Sequence, residues 1–342
     1  MLELDFAEEV TPVGLQVGTA MVEEKRWLGI YDHLPFDEYK KAPGVNISFL
    51  KKFHESPATA ITEKRHPKPP TAAMRLGTAL HTLVFEPKVF EATYNKGKYD
   101  EYRTKKAKAW KAEIEQGGKI VLKTSPEPDF WNPPEWDHVH LMRDSLMNDP
   151  IASVLIETSV FERSFFWVDP TTYKLCKGRL DGYSEAHRMI VDLKSAADSS
   201  YSGFAQSVLD FGYHRQEDWY MRGCRAPEVN MDVSNGFVFI VVESSRPPYQ
   251  VQMYHLEAKI GNYDGDGYQE PQVWQETEWL RVARELNNED MAHYRLCHKF
   301  DVWPGYGDRV VEDSSTPSGY RVETHGARRL DPLPWVNRLP IY

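Results

Sequence analysis

The residues with the most chemical content lie in "GRLDGYSEAHRMIVDLKSA", Gly178 to Ala196, where Asp181 and Asp192 stand eleven positions apart and Asp192 is followed by Leu193 and Lys194. In a strand, alternate side chains share a face, so Ile190, Asp192 and Lys194 point one way while Val191 and Leu193 point the other. If the preceding strand pairs with this one, Asp181 near its end approaches the same spot. Two carboxylates and one ammonium then share a site. Close carboxylates repel, and a divalent cation relieves the repulsion; hard oxygen ligands suit magnesium or manganese. The lysine can orient or activate a water beside a scissile phosphate, and the metal offsets the charge that develops in the attack. The competing reading is an ordinary hairpin with solvated charges, since a D-x-K triplet arises about once by chance in a chain of this length. Further along, "QEDWY" sets Gln216 and Tyr220 at i and i+4, on one helix face.

Several elements must position these groups. "TAAMRLGTALHTLVFEP" repeats apolar residues at Leu76, Leu80, Leu83 and Val84, a helical spacing stopped by Pro87, and His81 lies within it. "NISFLKKFHESP" reads as a helix start with Ser48 as N-cap. "SVFERSFFWVD", "YKLCKGRLDGYSE" and "RMIVDLKSA" are short, aromatic and β-branched with turn-like breaks, which predicts an antiparallel meander. A helix over about Gly203 to Arg225 follows, then the strand "GFVFIVVES" with "YQVQMYHLE" as its hairpin partner. A long helix near "PQVWQETEWLRVARELNN" and a Pro-rich tail finish the chain. Helices around one mixed sheet make an α/β fold. Residues 1 to about 44 read as a loosely organised leader before a single domain over 45–342.

Composition narrows the setting. With 342 residues, 41% of them hydrophobic, the chain can bury a large core. Cys176, Cys224 and Cys297 are far apart and form no CxxC pair, so neither a zinc site nor a disulfide framework is indicated and a reducing, cytoplasmic setting is expected. The start of the chain lacks a signal-peptide pattern, and the apolar run "FVFIVV" is too short to span a bilayer, so no membrane partner is expected. The formal charge of -10 argues against non-specific coating of nucleic acid, yet a carboxylate-rich metal site inflates that count. The basic runs "EYRTKKAKAWK" and "KKFHESPATAITEKRHPK" either line a channel or are solvated helix faces. No P-loop, GxSxG or HExxH pattern is present.

Taken in order, "ISFLKKFHESP", "GTALHTLVFEP", "FERSFFWVD", "GRLDGY", "VDLKSA" and "QEDWY", with "WPGY" and "LPW" in the tail, resemble the PD-(D/E)xK nuclease superfamily, and within it the RecE-like exonucleases (exonuclease VIII nuclease domain), related to RecB nuclease domains and lambda exonuclease. The resemblance implies a restriction-endonuclease-like α/β core, a central mixed sheet flanked by helices. It implies that Asp181, Asp192 and the carbonyl of Leu193 bind magnesium, with manganese as a substitute, that Lys194 is the catalytic lysine, and that His81 is a ligand or sits beside the metal. Glu162 would lie in the adjacent strand and bind metal directly or through water; Gln216 and Tyr220 would support the site and touch the DNA backbone. The role of Glu86, in the helix of His81, stays open between site and surface. A 5′-phosphate pocket is sought among Ser48, Lys51, Lys52 and Arg75. The implied activity is degradation of the 5′-ended strand of duplex DNA from its ends to mononucleotides, leaving 3′ overhangs. The implied partners are a single-strand annealing protein and further copies of the chain in a ring, in a bacterial cytoplasm and encoded by a phage or prophage. A site- or structure-selective endonuclease and a non-catalytic DNA-binding module remain the alternatives.

Overall fold

The computed structural model describes residues 26–324, apart from 100, 126, 261–272 and 276. The tail motif "LPW" and most of the expected leader lie outside the described residues. Two compact units result: residues 26–47 and 68–287 form the first, and 48–67 with 288–324 form the second.

Eight strands of the first unit matter for the site: β1 (Gly29–Tyr31), β2 (Ser159–Phe161), β3 (Ser164–Val168), β4 (Leu175–Arg179), β5 (Gly182–Ser184), β6 (Met189–Ala196), β7 (Phe237–Glu243) and β8 (Val251–Tyr254). They make two sheets, one of order β1-β3-β4 and one of order β8-β7-β6-β5-β2. Neighbouring strands are antiparallel except β6 and β7, which run parallel with Asp192 opposite Phe239 and Lys194 opposite Val241. The expected meander is therefore split: β3 and β4 pair with each other, while the chain beyond Leu180 crosses into the second sheet as β5.

Alternation along β6 and β7 explains how the larger sheet is covered. Val191, Leu193, Val238, Ile240 and Val242 pack into one apolar cluster with Ala79, Leu80 and Val84 of helix α1 (Ala72–Phe85) and Val139, Met142 and Leu146 of α2 (Glu135–Asn148). On the other side, Phe204 of α3 (Tyr201–Phe211) and Tyr213 of α4 (Tyr213–Arg225) meet Phe239. Each fully buried Leu, Val or Phe adds about 1.5–3 kcal/mol, so the strand that carries Asp192 and Lys194 is anchored at the centre of the core.

Several expectations about elements need correction. The single helix over Gly203 to Arg225 is two helices, because Gly212 adopts a left-handed backbone (φ 61°, ψ 43°) that ends α3 and restarts the chain as α4. The long C-terminal helix starts only at Glu278, and Val273–Gln275 pairs as a strand with Ala258–Ile260. Within the expected leader, β1 joins the smaller sheet and Phe36–Lys41 is helical. That helix is held by Lys177, buried in β4, whose ammonium donates to the carbonyls of Tyr39 (2.8 Å) and Ala42 (2.6 Å). A buried cation at the carbonyl-rich end of a helix satisfies both partners.

In the second unit, Pro57–Arg65 is capped by Ser56, whose hydroxyl accepts from the Thr59 N–H at 3.2 Å. Ser48 is not the N-cap expected for the preceding helix: that helix runs Ile47–Glu55, so Ser48 already lies inside it. Phe53 packs edge-on against His293, Tyr294 and Trp303, the last from the "WPGY" motif.

Candidate active site

The site forms where β5 stops. Gly182 pairs with Val191, and one residue earlier the chain has left the ladder. The Leu193 N–H then has no strand partner on that side, and Asp181 Oδ2 accepts it at 3.1 Å. This one bond fixes a carboxylate beside Asp192. The expectation that Asp181 meets Asp192 across paired strands therefore rests, in the structure, on a strand that ends one residue short.

Asp192 is almost wholly buried (1% exposed), which is costly for a carboxylate unless it is paired. Gln216 of α4 donates its amide to Asp192 Oδ1 at 2.6 Å, and the Lys194 ammonium forms an ion pair with Oδ2. Tyr220, one turn further along α4, is hydrogen-bonded to Gln216. The Nδ1 of His81 on α1 lies 3.5 Å from Asp181 Oδ2, and its ring also bonds the Leu193 backbone, where the carbonyl is the acceptor that favours a protonated imidazole. Asp181, Asp192, Leu193, Lys194, His81, Gln216 and Tyr220 thus come together.

Gly223 lets α4 approach β3, and Gly178 makes room for the Phe165 ring across the β3–β4 ladder. A Cβ at Gly223 would stand 2.5 Å from the Phe165 ring and 2.7 Å from Trp167, and one at Gly178 would stand 2.2 Å from Phe165. The Gly223 contacts seat the helix on β3 and bring Gln216 to Asp192.

The electrostatics follow from burial. Desolvation, with the opposing charge of Lys194 only partly compensating, holds Asp181 and Asp192 at about 6, and each is raised further by a neighbouring carboxylate, Glu162 or Asp181. Burial and the Lys194 charge push His81 down to about 4, so its imidazole is neutral near pH 7. Burial opposes the Lys194 ammonium, but Asp192 and Asp181 outweigh it and its pKa is raised. Lys194 is a cation, not a free amine.

Glu162 is displaced from its expected place. It lies between β2 and β3 rather than in a strand, with a left-handed backbone (φ 55°), and its carboxylate is ion-paired to Arg179. Its N–H bonds the Asp181 carbonyl at 3.2 Å, so it still borders the site. A non-glycine residue in this conformation stores strain, which clusters at functional positions. Arg179 also donates to the Leu34 carbonyl and to Ser164 Oγ, at 2.5 and 3.0 Å. Sequence reading assigned Arg179 no role, although its place two residues before Asp181 in "GRLDGY" was the available signal. Tyr213 was missed as well: its ring lies 4.9 Å beneath the Lys194 ammonium. Glu86 caps the end of α1 and shows no part in the cluster.

Of the residues proposed for a phosphate pocket, Arg75 lies exposed on α1 and donates to the Pro70 carbonyl at 3.1 Å, while Ser48 and Lys51 belong to the second unit. Lys52 is paired with Glu63 at 2.5 Å.

Among the described residues, no three or more His, Cys, Asp and Glu side chains converge as a cation site. The two carboxylates nevertheless suit a hard divalent ion: burial holds both near 6 against the charge of Lys194, and a cation between them would offset that cost. Asp181 and Asp192, with the Leu193 carbonyl beside them, would hold it, and water would complete the shell as magnesium prefers. Among the described residues no helix is long and apolar enough to cross a membrane.

A crystal structure from Eubacterium rectale, described as a candidate exonuclease, superimposes with a TM-score of 0.50 at 13% identity, covering 91% of this chain and 99% of that one, which shows a shared fold. Comparison with curated proteins gives no match. The family described as "PDDEXK-like domain of unknown function (DUF3799)" matches residues 46–310, and its superfamily generally works with divalent metal ions. The mixed sheet, the Asp181–Asp192–Lys194 cluster and this match together show that the chain belongs to the PDDEXK-like family DUF3799, within the PD-(D/E)xK nuclease superfamily.

Proposed function

We propose that this chain is a magnesium-dependent exonuclease that degrades the 5′-ended strand of linear duplex DNA to mononucleotides and leaves 3′ overhangs for recombination by strand annealing. The observation that carries the reading is the cluster of Asp181, just before β5, with Asp192 and Lys194 of β6, and Gln216 bonded to the buried carboxylate. End-directed cutting, 5′ polarity and recombination rest on the likeness of its ordered motifs to RecE-like enzymes. So do a ring of several copies, an annealing partner and a place in the bacterial cytoplasm.

Bound between Asp181 and Asp192, magnesium or manganese would neutralise charge at the scissile phosphate. The chain's own residues do the rest. Asp192, locked by Gln216, keeps its geometry without rotamer freedom, and Asp181 is fixed by the Leu193 N–H. Lys194, charged at neutral pH, donates hydrogen bonds to the attacking water and to the phosphate oxygen on which negative charge grows. It orients the water and does not take its proton, which passes to solvent, while the leaving 3′-oxygen gains a proton from solvent as its bond to phosphorus breaks. Neutral His81 has one N–H, which it donates to the Leu193 carbonyl, while its ring stands beside Asp181 at 3.5 Å. Arg75 of the first unit is proposed to receive the 5′-phosphate; an Arg75→Ala variant with unchanged 5′-phosphate preference would remove it from that role.

The test is release of acid-soluble nucleotides from linear duplex DNA labelled at either end, with magnesium or EDTA, for wild type and Lys194→Ala. Magnesium- and lysine-dependent loss beginning at the 5′ end supports the reading. Cutting of a closed circular duplex would point to an endonuclease, and no release from folded wild type with magnesium or manganese would overturn hydrolysis of DNA ends.

A further inference from the structure

The left-handed turn at Gly212 brings two aromatic rings together: Phe211 at the end of α3 and Tyr213 at the start of α4, with centroids 5.6 Å apart and planes inclined by 31°. Tyr213 is the inner ring. It carries the Lys194 ammonium and packs against Phe204 and Phe239. Phe211 is the outer ring and is 58% exposed. Leu209, on the same helix, is 56% exposed, whereas Phe204 and Val208 form its buried side. Single exposed apolar residues are ordinary on proteins. What distinguishes Phe211 is that one ring separates it from the lysine proposed to act on the phosphate.

We infer that Phe211 is a stacking platform for an unpaired nucleobase of the strand being cut, at a nucleotide adjoining the scissile phosphate. The inference rests on the hydrolytic reading above and specifies its substrate. A phosphate held at Lys194 brings its attached nucleosides with it, and an aromatic face beside the lysine meets a base of that nucleotide. Bases inside a duplex have both faces covered by neighbours. Apart from the outer face of a terminal pair, only a base freed from its stack can lie on Phe211, so beyond the first nucleotide the strand must enter the site frayed or single-stranded. Charge points the same way. With a net charge of -10, the chain lacks a general positive field to hold nucleic acid, and stacking supplies grip that needs no such field.

The experiment uses the full chain with calcium in place of magnesium and single-stranded oligonucleotides carrying 2-aminopurine at the first or second 5′ nucleotide. Wild type and Phe211→Trp are expected to quench the 2-aminopurine emission on binding, and Phe211→Ala to lose the quench and bind roughly 10-fold more weakly. With magnesium, an abasic residue at the quenched position should slow wild type as much as Phe211→Ala slows the normal substrate, with no further loss when the two are combined. Quenching retained in Phe211→Ala, no quenching by wild type, or losses that multiply would each overturn the stacking. The two readings fail separately. Phe211-dependent quenching by a wild type that cuts nothing leaves the platform and removes the hydrolysis. Normal cutting and quenching by Phe211→Ala does the reverse.

Discussion

Gln216 donates its side-chain amide to Asp192 Oδ1 at 2.6 Å, joining helix α4 to the central strand β6 at its most buried carboxylate. The bond decides which way the Asp192 carboxylate faces, because its other oxygen meets Lys194.

Replacing Gln216 by Leu removes that donor and frees the carboxylate to turn. Partners that orient a ligand typically matter by roughly 10- to 100-fold, and we expect a loss of nuclease activity of that size with a higher magnesium requirement. Gln216→Glu should be worse, since a third carboxylate raises Asp192 further. Magnesium titration of the rate for wild type and both variants checks this; equal rates would remove Gln216 from the site.

Gly223→Ala sets two effects against each other. Alanine favours a helix over glycine by about 1 kcal/mol, whereas crowding a packed interface costs ~1–3 kcal/mol. Here the new methyl would meet Phe165 and Trp167 rings at 2.5–2.8 Å, too close to be absorbed without moving the helix. Net destabilisation and lower activity should appear together, read from the urea midpoint and the rate of nucleotide release.

Divalent metal should stabilise the folded chain because it binds the native cluster and not the unfolded one; at a hundredfold excess over the dissociation constant the gain is about 2.7 kcal/mol. Melting of wild type with EDTA, magnesium or manganese should show the metals raising the transition. Asp192→Asn, short of one charge, should respond little. An equal rise in the variant would place the cation elsewhere.

Glu217, next to Gln216 but facing into the protein, is fully buried, and burial together with the charges of Glu257 and Asp192 raises its pKa well above the ordinary carboxylate value. The folded state therefore holds a proton that the unfolded chain releases from about pH 4.5 upward. Its contribution favours folding at low pH and is lost as the pH rises towards the folded pKa. Glu217→Gln, which mimics the protonated acid, should gain stability relative to wild type from pH 5 to pH 8. Denaturant midpoints at both values test this; a constant difference would mean that Glu217 does not titrate in that window.

The sequence alone determined which strand carries Asp192 and Lys194 and which face they share. Alternation placed Asp192 and Lys194 on one face of β6 and Val191 and Leu193 on the other, since a strand has a period of two whatever surrounds it. The i, i+4 spacing of Gln216 and Tyr220 was equally local, as was the amphipathic pattern of the helix bearing His81. Tertiary structure decided what depends on distant segments. Gly212 breaks what reads as one helix, because a lone glycine is tolerated in a helical pattern and only the packing on both sides shows the turn. Glu162 left its expected strand for a left-handed position paired to Arg179, a contact between a turn and strand β4 that no local period encodes. Tyr213 came under Lys194 for the same reason. Local spacing fixes which faces side chains share, while the partners that set their charge and orientation come from wherever the chain returns.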